Sequence, residues 1–171
     1  MENREQVRDW NWIPALLAAL LLGVGLHELF RLWPSIMTEC IAPVNNSIWE
    51  HVKVIFWPLL LVELGCAPPH SRSGGLLTIV LCCIGMLLAG WLYHIVLKGS
   101  ALWVDLLIYG LCIWSYYPLS DAAWVQKVPA ALSILLTAVL AALIVLFTLS
   151  PPHGALFSDP TLLMVWAARV C

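Results

Sequence analysis

The sequence predicts an all-α integral membrane protein, a bundle of five transmembrane helices followed by a short C-terminal interfacial or re-entrant helix. Three observations carry this expectation. Of the 171 residues, 62% are hydrophobic and only 11% charged, with a mean hydropathy of +0.92. A soluble domain carries about 25% charged residues, so most of this surface must face lipid. Five apolar stretches approach the roughly 20 residues that a spanning helix needs. None alternates strictly at every second residue, and backbone groups in lipid must be paired within a helix or a closed barrel.

The elements follow in order along a single membrane domain over residues 1–171. The first helix runs from Trp12 to Trp33 and is stopped by Pro34. It follows a charged start (Glu2, Arg4, Glu5, Arg8, Asp9), but no small-residue cleavage site follows its core and four further apolar runs come later, so it reads as a retained helix. Helix two, 48–66, opens with a polar turn. Helix three, 76–97, lies between Gly74-Gly75 and Lys98-Gly99. Helix four, 102–118, is somewhat short. Helix five, 129–150, has Pro129 at its start and Pro151-Pro152 at its end, each where proline is tolerated or stops a helix. The apolar stretch 161–168 is too short to span and reads as the interfacial or re-entrant helix. The connections are short, and there is no internal repeat.

Composition also limits function. The net charge is −2 and no run of Lys or Arg exists, which argues against a nucleic-acid partner, because phosphate neutralisation needs a clustered basic footprint. The partner the composition does imply is the lipid bilayer. The six cysteines form no C-x-x-C pair and read as packing residues. Most of the ten tryptophans lie near helix ends and read as an aromatic belt at headgroup depth. Lys and Arg on the two sides tie at four each. Discounting Arg31 and Lys53, which lie beside Glu28 and Glu50, favours a cytoplasmic N-terminus in the cell membrane.

Alternating helices sort the polar residues by membrane face. His27, Glu28, Asn45, Asn46, Glu50, His51, Lys53, His94, Asp105, His153 and Asp159 all fall on one side, and among the histidines only His70 falls on the other. Ionisable groups at membrane depth are costly and usually face a cavity or each other. This constellation is compatible with a metal site, a proton relay or a ligand pocket, although no H-E-x-x-H spacing is present. The candidate metal ligands are His27, His51, His94 and His153, for a divalent ion such as zinc. Glu50 is the candidate general base. Asn45, Asn46, Trp49, Lys53 and Asp105 are candidate ligand-binding residues.

Bland roles stand beside these. Ser47-Ile48-Trp49-Glu50 fits a capping box. Glu28 with Arg31, and Glu50 with Lys53, are spaced to pair along a helix. Asn45 and Asn46 suit a loop approaching a cap. Glu63 sits toward the opposite face and is expected to be hydrogen-bonded in an apolar setting.

The segment Val44-Asn45-Asn46-Ser47-Ile48-Trp49-Glu50-His51-Val52-Lys53 resembles the V-N-x-S-x-W-E-H-x-K pattern of an uncharacterised family of small bacterial and archaeal multi-pass membrane proteins. Pro151-Pro152, followed by Leu156-Phe157-Ser158-Asp159-Pro160, is similar to that family's closing P-P-x-x-x-L-F-x-D-P pattern, and His27 matches a histidine of its first helix. Members often carry Glu where this chain has Asn46. The resemblance implies a membrane bundle and brings no activity with it. Asn45 to His51 is also similar, by analogy alone, to a segment of progestin and adiponectin receptor-like membrane proteins, which belong with ceramidase-like zinc hydrolases.

Three functions remain open at this level. The cluster can serve a metal-dependent site of hydrolytic type, in which bound zinc lowers the pKa of its water to about 7. It can serve non-enzymatic binding or transport of a small molecule or lipid. It can also be the packing glue of a structural or partner-assembly protein.

Overall fold

The computed structural model describes residues 12–66 and 72–159. It is all-helical among these residues, and the stretch 161–168 lies outside them. In chain order the helices are α1 (Trp12–Leu32), α2 (Ile36–Ile41), a 3-10 turn (Glu50–Val52), α3 (Lys53–Cys66), α4 (Arg72–Gly90), a π-helical turn (Trp91–Val96), α5 (Leu102–Ser120), α6 (Ala123–Gln126) and α7 (Ala130–Leu149).

Four of the helical stretches are long and apolar enough to cross a membrane: 12–32, 74–96, 102–120 and 130–149. They divide by burial. In the most apolar 18 residues of the 74–96 span 56% are buried, against 17% in the same length of each of the other three. α4 is therefore a central helix, while α1, α5 and α7 turn wide apolar faces outward, as helices bathed in lipid do. α3 joins α4 at the centre through Val54, Ile55, Phe56, Leu59 and Val62, all buried.

The chain between α1 and the 3-10 turn, read from sequence as a simple link, contains α2. Ser35 caps it in a reciprocal box with Thr38: the Thr38 N–H donates to Ser35 Oγ at 3.2 Å and the Ser35 N–H donates to Thr38 Oγ1 at 2.9 Å. The box at Ser47 is only half formed. Ser47 Oγ accepts from the Glu50 N–H at 3.3 Å, but the Ser47 N–H donates to Asn45 Oδ1 at 2.8 Å, so the Glu50 carboxylate is released for other work.

Polar side chains tie the helices together. Thr137 Oγ1 donates to the Leu76 carbonyl at 3.2 Å, joining α7 to α4. Tyr116 of α5 donates to the buried Glu63 of α3, which matches the expectation of a hydrogen-bonded Glu63. Trp33, Trp91, Trp103, Trp114 and Trp124 are exposed, as the expected belt requires. Trp49 departs from it. Its ring is buried against Phe147 and Phe157, with centroids 5.2 and 5.4 Å away, and its backbone N–H donates to the Leu156 carbonyl. The loop after α7 is thereby strapped over the start of the 3-10 turn. Cys40, Cys82, Cys83 and Cys112 are free thiols.

Candidate functional site

A cavity of about 450 Å³ opens at one end of the bundle, where the end of α1, the 3-10 turn, the π-helical turn and the start of α5 converge. Its polar lining is His27, Glu28, Asn46, His51, His94, Ser100, Asp105 and Tyr109, and its apolar wall includes Val24, Ile48, Val54, Met86, Leu102, Leu106 and Ile108. A largely apolar cavity of this size with a few convergent polar groups is the usual form of a small-molecule site.

Each wall has a local cause. α1 approaches α3 and α5 closely because residue 23 is glycine: a Cβ there would strike the Tyr109 hydroxyl and the Val54 carbonyl. The same hydroxyl donates to the Leu20 carbonyl at 2.9 Å and fixes α5 against α1. On the opposite wall the helix widens to π geometry, with the Leu97 N–H donating to the Leu92 carbonyl five residues back. Single π turns recur at functional sites because they re-aim side chains. This one carries His94.

The turn that follows is tightly specified. Lys98 adopts φ of +53°, a left-handed conformation that is costly for a residue with a Cβ. Gly99 is required because any Cβ would enter the Tyr93 ring. Its N–H donates to the Tyr93 carbonyl at 2.8 Å, and the Ala101 N–H donates to the Tyr93 hydroxyl at 2.8 Å. This turn presents Ser100 to the cavity, and the first turn of α5 presents Asp105.

The three imidazoles are not equivalent. His94 Nδ1 donates to the Gly99 carbonyl at 3.0 Å, and Nε2 lies 2.9 Å from Asp105 Oδ1. Both ring nitrogens are committed. His51 Nδ1 lies 2.8 Å from the Ser47 carbonyl and must donate to it, which leaves Nε2 as the lone-pair nitrogen of the neutral ring. The His51 ring is within electrostatic reach of His27, Asp105 and His94. His27 lies beside His51, with ring centroids 5.4 Å apart, and its Nδ1 is 3.4 Å from Glu28 Oε1. Glu28 is paired in turn with Arg31 at 3.2 Å.

His27, Asn46, His51, His94 and Asp105 therefore meet in the cavity, and the other sequence candidates do not. Glu50 is buried, and its carboxylate accepts from the Val44 N–H at 2.8 Å, Lys53 Nζ at 2.6 Å and Thr148 Oγ1 at 3.3 Å. Lys53 Nζ, fully buried, donates its other protons to the carbonyls of Glu39 (2.7 Å) and Ala42 (3.1 Å). An ammonium has three donors, and all three are used. Neither residue lines the cavity, so the general-base role expected of Glu50 and the ligand role expected of Lys53 have no geometric footing. Asn45 is spent on its own turn and Trp49 on the aromatic strap.

His153 is exposed on the loop after α7 and is not part of the cavity wall. With His94 committed at both nitrogens, His27 and His51 remain as a pair without a third ligand. Among the described residues no group of three or more His, Cys, Asp or Glu is disposed to hold a metal ion. The expectation of a zinc site from His27, His51, His94 and His153 is not supported by this geometry.

Ser100 and Tyr109 escaped sequence reasoning. Tyr109 had a usable signal, since it stands four residues after Asp105 on one helical face. Ser100 had none beyond its place in a Lys-Gly-Ser turn. Comparison with protein-family models, curated proteins and solved structures returned no match for this chain.

Proposed function

We propose that this chain is a five-span membrane protein whose cavity binds a small amphipathic molecule near one membrane face. The observation that carries the reading is the cavity itself: an apolar chamber into which three separate stretches of chain deliver histidines, one of them with a free lone pair. Four spans rest on length and composition. The fifth is residues 50–66, where the 3-10 turn of three residues and the fourteen of α3 make 17 in all, the lower limit of about 17 for a crossing. Five crossings also place the four cavity walls at one membrane face. The N-terminus is assigned to the cytoplasmic side and the cavity to the opposite one, on the Lys/Arg distribution.

Acid–base chemistry in the same cavity is a second reading, favoured by His51. A Nδ1–H fixed on a backbone carbonyl is the arrangement that orients an imidazole to exchange a proton or accept a hydrogen bond through Nε2.

The test is a thermal-shift screen of the protein in lipid nanodiscs against single-chain amphiphiles. A ligand at about a hundred times its Kd adds roughly 2.7 kcal/mol of stability. Stabilisation of wild type but not of Asp105→Ala is the expected result. Equal shifts in both proteins, or none in either, would remove the proposal.

A further inference from the structure

Resting on the binding reading above, the charges around the cavity identify the kind of head group it takes. Asp105 is paired with His94 at 2.9 Å, and Glu28 with Arg31 at 3.2 Å. Lys53 and Glu50 neutralise each other outside the wall. Among the described residues that line the chamber there is no Lys or Arg, and both of its carboxylates already have a partner. An ionised head group entering it would lose water without gaining a counter-ion, which is among the costlier transfers in protein chemistry.

What the chamber does offer is a hydrogen-bond acceptor, His51 Nε2, whose partner nitrogen is pinned to the Ser47 carbonyl. A hydroxyl group matches it: it donates one proton, carries no charge and can accept in turn from the Asn46 amide. The other end of the chamber points to where the rest of the molecule goes. Val24 of α1 and Leu102 and Leu106 of α5 line the cavity, yet are 49%, 71% and 54% exposed. In a membrane those exposed faces meet acyl chains, so the chamber opens sideways between α1 and α5.

We infer that the cavity selects a neutral amphiphile with a hydroxyl head, a lipid alcohol whose O–H donates to His51 Nε2 and whose chain leaves between Val24 and Leu106. Charged amphiphiles of equal length are rejected by desolvation rather than by size.

The experiment uses the full chain in nanodiscs and a diazirine-bearing twelve-carbon alcohol as photoprobe. Labelled residues are located by peptide mass spectrometry, and the probe is competed with dodecanol, dodecanoate, dodecylamine and hexanol. At about pH 7.5 the free acid and amine are both ionised. Labelling is expected at the α1–α5 gap, with dodecanol competing at least about tenfold better than either ion, a difference of about 1.4 kcal/mol. Hexanol should compete poorly if the alcohol comes from the bilayer, and equal competition by hexanol would overturn the lateral exit. His51→Leu should erase the preference for alcohol over acid, whereas His51→Gln, which keeps an acceptor, should retain part of it.

Competition by dodecanoate or dodecylamine equal to that of dodecanol would overturn the head-group assignment and leave the binding reading standing. Survival of the alcohol preference in His51→Leu would do the same. If this photoprobe, and carboxylic acid and amine photoprobes of the same length run in parallel, all fail to label the cavity, the binding reading itself fails and this inference falls with it.

Discussion

Between Asn45 and Lys53 one short segment builds two polar assemblies of opposite character. Glu50 and Lys53 form a closed knot in which the ammonium spends all three donors and the carboxylate accepts from three groups. One residue away, His51 faces a chamber with Nε2 uncommitted. Ionisable residues in a membrane protein thus cannot be sorted by type or by proximity in sequence. They are sorted by how many of their hydrogen-bonding positions the protein itself has filled. A saturated group holds the chain in shape, and a half-saturated one is available to something else.

The comparison breaks most visibly at the knot. Lys53→Ala leaves the Glu50 carboxylate and two carbonyls in a buried site without their cation, and removing one partner of a buried pair costs about 3–5 kcal/mol. Chemical denaturation in mixed micelles should register that loss, and a change below about 1 kcal/mol would mean the knot is not structural.

Gly23→Ala comes next. Its new methyl must displace the Tyr109 hydroxyl or the α3 backbone, and overpacking of this kind costs about 1–3 kcal/mol. The same denaturation measurement checks it, and binding should weaken with it because Gly23 belongs to the cavity wall. Tyr109→Phe removes the hydroxyl that ties α5 to α1. Interhelical polar contacts in membranes average about 0.6 kcal/mol, so a small stability loss is expected, readable as a slight shift in the denaturation midpoint.

His51→Leu sharpens the contrast. Stability should change by less than about 1 kcal/mol, one hydrogen bond to a carbonyl being lost, while the extra stabilisation by an alcohol over an acid of equal length disappears. A large stability loss with ligand response intact would place His51 with the knot rather than the cavity.

The sequence by itself determined the membrane class and the helical character, because hydropathy over some 20 residues and the need to pair backbone groups in lipid act locally. It also determined that His27, Asn46, His51, His94 and Asp105 share one end of the bundle, since an alternating path leaves few choices of side. It did not determine which of the clustered residues turn inward together. The 3-10 turn sends His51 into the cavity wall but not Glu50 or Lys53, His94 is aimed by a π turn, and Lys98 takes a left-handed φ. Each is a departure from regular helix, and departures of a fraction of a turn leave no period for a sequence pattern to show. The saturation of Lys53 depends on carbonyls eleven and fourteen residues away, and the Glu50 contact with Thr148 spans 98 residues. Only packing brings such partners within hydrogen-bond range, so only the tertiary structure decides which charge is structural and which imidazole is left to act.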